Sequence, residues 1–153
     1  IRIVSKMKVI EGNIKQALEV HSSISEFNKP SDVQFFEERY QNKKHVIFIA
    51  FYLDIPIGYM ISYDRYNDGS IYCWMAGVKS EFRKQKALTL MMSSLENWSK
   101  ENSFKTIKIK TSNKRKAMLS YLVKNDFLVA KVYNETDDKL MINNRIDLEK
   151  TLN

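Results

Sequence analysis

The hydrophobic period of this chain changes once, at Val78, and that change constrains the fold more than any other feature. Before it lie three apolar runs of strand length, HVIFIAFYL (45–53), IGYMISYDRY (57–66) and SIYCWMAGV (70–78). They are rich in β-branched and aromatic residues and are separated by two turn signals, DIP and NDG. Asp-Gly supplies the positive φ that a tight hairpin needs, so the three runs read as a meander. After Val78 the spacing becomes helical: Leu88, Met91, Leu95 and Trp98 fall three or four apart, on one face of a helix ending near Asn102. FKTIKIKT then returns to alternation, with Ile107 and Ile109 on one face and Lys108 and Lys110 on the other. A strand, a helix and a strand in that order call for a crossover, so the strands at 70–78 and 105–111 are expected to run parallel.

The flanks extend this pattern. IRIVSKMKV reads as a short first strand, and NIKQALEVHSSISEF carries a helical stripe of Ile14, Ala17, Leu18, Val20 and Ile24. SDVQFFEERYQ opens on Ser31–Asp32 as a cap and reads as a second, shorter helix. Ser112 or Asn113 is placed to cap the helix KRKAMLSYLVKN, whose Met118, Tyr121 and Leu122 point inward. DFLVAKVYN and KLMINNRIDL form a closing hairpin. The expected order is β-α-α-β-β-β-α-β-α-β-β: an α+β (mixed α/β) fold of about seven strands and four helices. No linker or repeat interrupts it, so residues 1–153 read as one domain.

Composition removes several classes. Four glycines, two prolines and 44% hydrophobic residues exclude disordered and low-complexity chains. No apolar run approaches the roughly 20 residues of a membrane-spanning helix, and no signal peptide is read at the N-terminus. The single cysteine, Cys73, excludes an internal disulfide and points to a cytoplasmic location; with His21 and His45 isolated, no metal site is expected. Charge is unevenly placed. Residues 1–78 hold nine Lys/Arg and nine Asp/Glu, whereas residues 79–131 hold 13 against four. That half suits either a solvated basic surface or an anionic partner.

GVKSEFRKQKAL and MLSYLVKNDF resemble two segments of the GNAT superfamily, the Gcn5-related N-acetyltransferases, and the element order is similar over essentially the whole chain. Val78, Glu81, Phe82 and Arg83 keep the family's acyl-CoA loop pattern, and Phe127 matches the phenylalanine before the sixth strand. The sequence departs from the pattern at four positions. Lys86 stands where the family has its first glycine, and Leu88 where it has glycine or alanine. Leu122 replaces a tyrosine that protonates the departing thiolate in many members, and Asp126 replaces the glycine before Phe127.

The resemblance implies acetyl-CoA as co-substrate, with its pyrophosphate over the amides of Arg83, Lys84, Gln85, Lys86, Ala87 and Leu88. Its pantetheine arm would enter a gap between the strands at 70–78 and 105–111, which diverge at their C-terminal ends, and pair with Ala76 and Val78. The resemblance also implies a bulge at Gly77, where a glycine inside a strand marks a bulge or a close backbone approach or is simply tolerated for packing. Asn113 is a further cofactor contact or a plain helix cap. Tyr72 and Trp74, on one face of their strand, are candidate acceptor-pocket residues or simply core. Asp64, Asp68, Tyr72 and Tyr121 are candidates for proton transfer, but each has a simpler structural role, so no catalytic residue is assigned. Glu37 and Glu38 would suit a cationic amine or merely face solvent.

Three functions compete. The first is acetyl transfer from acetyl-CoA directly to an amine of a small molecule or protein. The second is a GNAT-fold regulatory or partner-binding module with little catalysis, and the third a basic nucleic-acid binder, which only charge supports. The acceptor, the acyl chain and the oligomeric state, a homodimer included, stay open at this level.

Overall fold

The computed structural model describes residues 6–24, 32–84 and 86–153. Seven strands form one sheet: β1 (Met7–Glu11), β2 (His45–Tyr52), β3 (Ile55–Tyr63), β4 (Ser70–Val78), β5 (Thr106–Thr111), β6 (Leu128–Thr136) and β7 (Ile142–Thr151). Four α-helices accompany them: α1 (Ile14–His21), α2 (Val33–Tyr40), α3 (Ala87–Glu101) and α4 (Lys116–Lys124). The spatial order is β1-β2-β3-β4-β5-β7-β6. The expected α+β architecture and element order are therefore present. The first strand lies later than expected, at Met7–Glu11, and residues 1–5 fall outside the described part of the chain.

Local sequence accounts for most of the boundaries. Asn13 Oδ1 accepts from the Gln16 N–H at 3.0 Å while Gln16 Oε1 accepts from the Asn13 N–H at 2.9 Å, a reciprocal cap that starts α1. Asp32 Oδ1 accepts from the Phe35 N–H at 2.9 Å and starts α2. The expected cap at Ser112 or Asn113 is not made. α4 begins after Arg115 with no side-chain cap, and the Asn113 N–H instead donates to Asn144 Oδ1 of β7 at 3.3 Å.

Both faces of the sheet are covered, which is why β2 and β3 are almost continuously apolar. One core holds Ile71, Cys73, Ile107 and Ile109 with Met91 and Leu95 of α3 and Leu122 of α4. The other holds Ile49, Tyr59, Tyr63 and Tyr72 with Val20 of α1 and Phe36 of α2. Gly58 of β3 sits where a Cβ would meet the Met91 Cε at 3.1 Å, so its bareness lets α3 approach the strand.

The feature that positions the site is the pairing of β4. Against β5 it runs parallel from Ser70↔Thr106 to Cys73↔Ile109 and then stops, although both strands continue. Against β3 it runs antiparallel from Tyr72 to Val78, with one irregularity: Ile61 faces Met75 and Ser62 faces Cys73, leaving Trp74 as the extra residue. The bulge is thus at Trp74 and not at Gly77, which pairs regularly with Tyr59. A bulge bends its strand and increases the local twist. Here it falls on the residue just after the last β4–β5 pair, which is the physical reason the two strands part there.

Candidate active site

Beyond Cys73 the β5 side of β4 is open. The Lys79 N–H donates to the Ile57 C=O of β3 at 2.8 Å, which fixes the parity of the ladder. Alternation then turns the N–H and C=O of Val78 and Ala76 away from β3 and into the gap. The Val78 C=O does face outward, because it accepts from the Arg83 Nε at 3.0 Å. The gap is a cleft of about 420 Å³ that passes through the sheet. Ile109, Thr111 and Met118 line it from the α3–α4 side, and Tyr72, Trp74 and Lys110 from the α1–α2 side. The buried Thr111 hydroxyl, at the end of β5, has no hydrogen-bond partner among the described residues. A buried hydroxyl left unsatisfied is costly, so its presence on a cleft wall marks a place where a ligand atom would be welcome.

At the head of the gap, β4 leads through a short 3₁₀ turn (Ser80–Phe82) to α3. Lys84 has φ 63° and Lys86, the residue before the first turn of α3, has φ 68° and ψ 10°. Both are left-handed, a conformation that glycine takes freely and that costs other residues roughly 1–2 kcal/mol. The loop keeps a glycine-type backbone without glycine at either position. Among the described residues no side chain caps α3, so the first N–H groups of a 15-residue helix face the loop without a capping acceptor. Leu88 does not obstruct them: it packs against the α3-side core, and Ala87 is buried. Gln85, the remaining loop candidate, lies outside the described residues. Asn113 is held beside Asn144 at the far wall and does not line the cleft.

Tyr72 and Trp74 do line the cleft, and each carries a guanidinium on its ring. Arg39 of α2 lies over Trp74 at 5.0 Å from the ring centroid, and Arg65 lies over Tyr72 at 4.9 Å. Their anchors are local. Phe36 and Tyr40 bury α2, and Phe36 meets Trp74 with centroids 5.4 Å apart, which brings the exposed Arg39 to the strand. Arg65 sits in the β3–β4 turn, where Asp64 accepts from the Asn67 N–H and Asp68 accepts from the Ser70 N–H. Asp68 also pairs with Lys108 of β5 at 2.8 Å. The Lys108 ammonium and the Ser70 hydroxyl hold the Asp68 carboxyl at about 2, well below the usual carboxylate range. Burial raises the Tyr72 phenol above its ordinary value, so it stays protonated. Burial likewise pushes the Cys73 thiol up to about 12, which leaves it inert as a nucleophile.

The remaining sequence candidates lie elsewhere. Glu37 and Glu38 line a hollow of about 470 Å³ whose described lining comes from α2 and Gln41, away from the β4–β5 gap. Tyr121 is half-buried between α3 and α4, and Leu122 is wholly inside the core. Arg39, Arg65, Lys110, Thr111 and Arg115 reach the cleft without having been singled out, because they come from four separate segments with no shared spacing. Among the described residues no three His, Cys, Asp or Glu side chains gather as a metal site.

The GNAT acetyltransferase family profile matches residues 15–127, and the chain belongs to that family. Among curated proteins none matches. The fold is similar to that of the ribosomal-protein-S18-alanine N-acetyltransferase of Escherichia coli, at 9% identity and TM-score 0.79 over 95% of this chain and 94% of that one. It is also similar to Ard1 of Thermoplasma volcanium, at 10% identity and TM-score 0.78 over 97% and 99% of the two chains. A GNAT family acetyltransferase of Elizabethkingia anophelis, solved with acetyl-CoA bound, aligns at 12% identity and TM-score 0.71 over 96% and 99%. At such identities the likeness is one of fold.

Proposed function

We propose that this protein is an acetyl-CoA-dependent N-acetyltransferase, built as one catalytic domain, that passes the acetyl group directly to an amine held in the cleft. The carrying observation is the parting of β4 from β5 after Cys73, which leaves the main-chain groups of Ala76 and Val78 turned into an open slot. A pantetheine arm has amides of its own and can complete that broken ladder. The uncapped start of α3 and the left-handed Lys84–Lys86 loop present main-chain N–H groups and positive charge for the pyrophosphate. The orphaned Thr111 hydroxyl is a hydrogen-bonding partner for a group lying in the slot.

Acetyl-CoA supplies a thioester: as the amine nitrogen bonds to its carbonyl carbon, the carbon–sulfur bond breaks and the thiolate leaves and takes a proton. The residues of this chain position that event and tune it. Tyr72 and Trp74 wall the slot on the α1–α2 side. Glu135 is the one carboxylate among the described lining residues, and it pairs with Arg145 at 3.1 Å. With no unpaired carboxylate on the wall, the neutral nucleophile is favoured by the positive surroundings, which lower the affinity of a bound amine for its extra proton. The protonated Tyr72 phenol is the hydroxyl on that wall able to donate. The test is a calorimetric titration with acetyl-CoA and with CoA, followed by thiol release against a panel of amines. Saturable binding with amine-dependent thiol release is expected. Absence of binding to either nucleotide overturns the reading in favour of a GNAT-fold module without catalysis.

A further inference from the structure

On the α1–α2 side the slot opens onto an assembly of cations drawn from all over the chain: Arg39 of α2, Arg65 of the β3–β4 turn, Lys110 of β5, Arg115 before α4 and Arg145 of β7. Against these five the described lining offers one carboxylate, Glu135, which is taken by Arg145. Arg39 and Arg65 lie over aromatic faces and have no carboxylate partner among the described residues. The nearby acids are engaged elsewhere. Asp68 is held by Lys108, and Asp147 reaches Lys110 only through the Tyr133 hydroxyl, at 3.3 and 3.1 Å. Like charges brought together from separate elements repel, and a cleft with low-dielectric walls concentrates their field. A guanidinium over a ring face can still offer N–H donors to a planar anion, the recognition in which arginine surpasses lysine.

Resting on the acetyltransferase reading, we infer that the acceptor is a small primary amine that also carries an anionic group, a carboxylate or a phosphate-type oxyanion, and that Arg39, Arg65 and Lys110 receive that group. The volume of the slot, about 420 Å³ through the whole sheet, suits a small molecule at its acceptor end. The same cations exclude polycationic amines, whose second ammonium would enter a field of its own sign. Glu37 and Glu38, which a cationic acceptor would need, face away on the outer surface of α2.

The experiment uses the whole protein, acetyl-CoA and four amines that share a three-carbon chain and differ at its far end. They are β-alanine, aminopropylphosphonate, β-alaninamide and diaminopropane. Thiol release should give kcat/KM for the better of the two anionic amines about tenfold or more above the amide, with the diamine lowest. The two anionic arms separate carboxylate from phosphate-type recognition. R39Q and R65Q should raise KM for the preferred anionic amine severalfold while acetyl-CoA still binds saturably. Equal or better turnover of the amide or the diamine overturns the inference and leaves the acetyltransferase reading standing. If acetyl-CoA binds but no amine turns over, quenching of tryptophan fluorescence by the same four amines decides. Preference for the anionic pair supports the charge assignment, and equal quenching by all four overturns it. Failure to bind acetyl-CoA at all overturns the parent reading instead.

Discussion

The two halves of β4 share a strand and almost nothing else. Ser70–Cys73 is buried, paired with β5 at every residue and with β3 at Tyr72 and Cys73, and packed between the two cores. Trp74–Val78 is half-buried, paired on one side only, and continues into a loop held in left-handed conformations at Lys84 and Lys86. The first half ties its β5-side main-chain groups into the ladder with β5. The second leaves them turned outward and stores backbone strain beside them, which is where proteins commonly place function. The boundary is one residue wide, the bulged Trp74.

Cutting into the paired half should give the largest effect. Ile71 is fully buried, so Ile71→Ala is expected to cost ~2–5 kcal/mol through lost burial and a residual cavity. Denaturant titration measures the loss, and the folded fraction should keep its acetyl-CoA affinity. A parallel fall in affinity would mean that the two halves are not separable. Next in size is the loop. Lys86→Glu should weaken CoA binding about tenfold or more in calorimetry, against little change for Lys139→Glu, an exposed residue of the β6–β7 turn. Lys150 is unsuitable as that control, because its ammonium pairs with Glu96 at 2.6 Å. Equal effects at both sites would place the phosphates elsewhere.

Lys86→Gly should move the other way and raise stability by up to ~1 kcal/mol, since glycine adopts the left-handed backbone without strain. A shift in the denaturant midpoint at constant slope reads it. A loss of stability would show that Lys86 makes contacts that outweigh its conformation. The smallest effect belongs to Asp68, whose pair with Lys108 anchors the turn carrying Arg65. Its carboxyl is held down at about 2 from an ordinary 3.8, so its contribution is complete above 3.8 and is lost as pH falls through about 2. With the pair largely exposed, that contribution is under ~1 kcal/mol. Wild type should therefore lose its small advantage over Asp68→Asn across that interval. A constant difference down to the lowest pH would assign the stabilisation to something other than the ionised carboxylate.

The strands and helices were legible because their signals are local. Alternation gave β5, three-and-four spacing gave α3, and Asp-Gly gave the β3–β4 turn. The misreadings came where a residue's role depends on a distant neighbour. Gly77 looked like the bulge because glycine has a local signature, yet the register with β3 put the irregularity at Trp74. Asn113 looked like a helix cap, yet Asn144, far along the chain, takes its N–H. The two loop departures, Lys86 and Leu88, were visible as letters, but not that Lys84 and Lys86 would hold a glycine-type backbone or that Leu88 would turn into the core.

By itself the sequence determined the element order and the parallel crossover, which follow from periodicity and from short-range turn chemistry, while the loop that heads the gap was read from its resemblance to the family's segment. Its net charge was visible too, as a basic middle stretch. Only the tertiary structure decided where cations converge, because Arg39 and Arg65 come from the electrically balanced half of the chain and meet Lys110 and Arg115 across a slot. Charge adds along the sequence as a sum, but a field depends on distance, and distance is set by how the strands part.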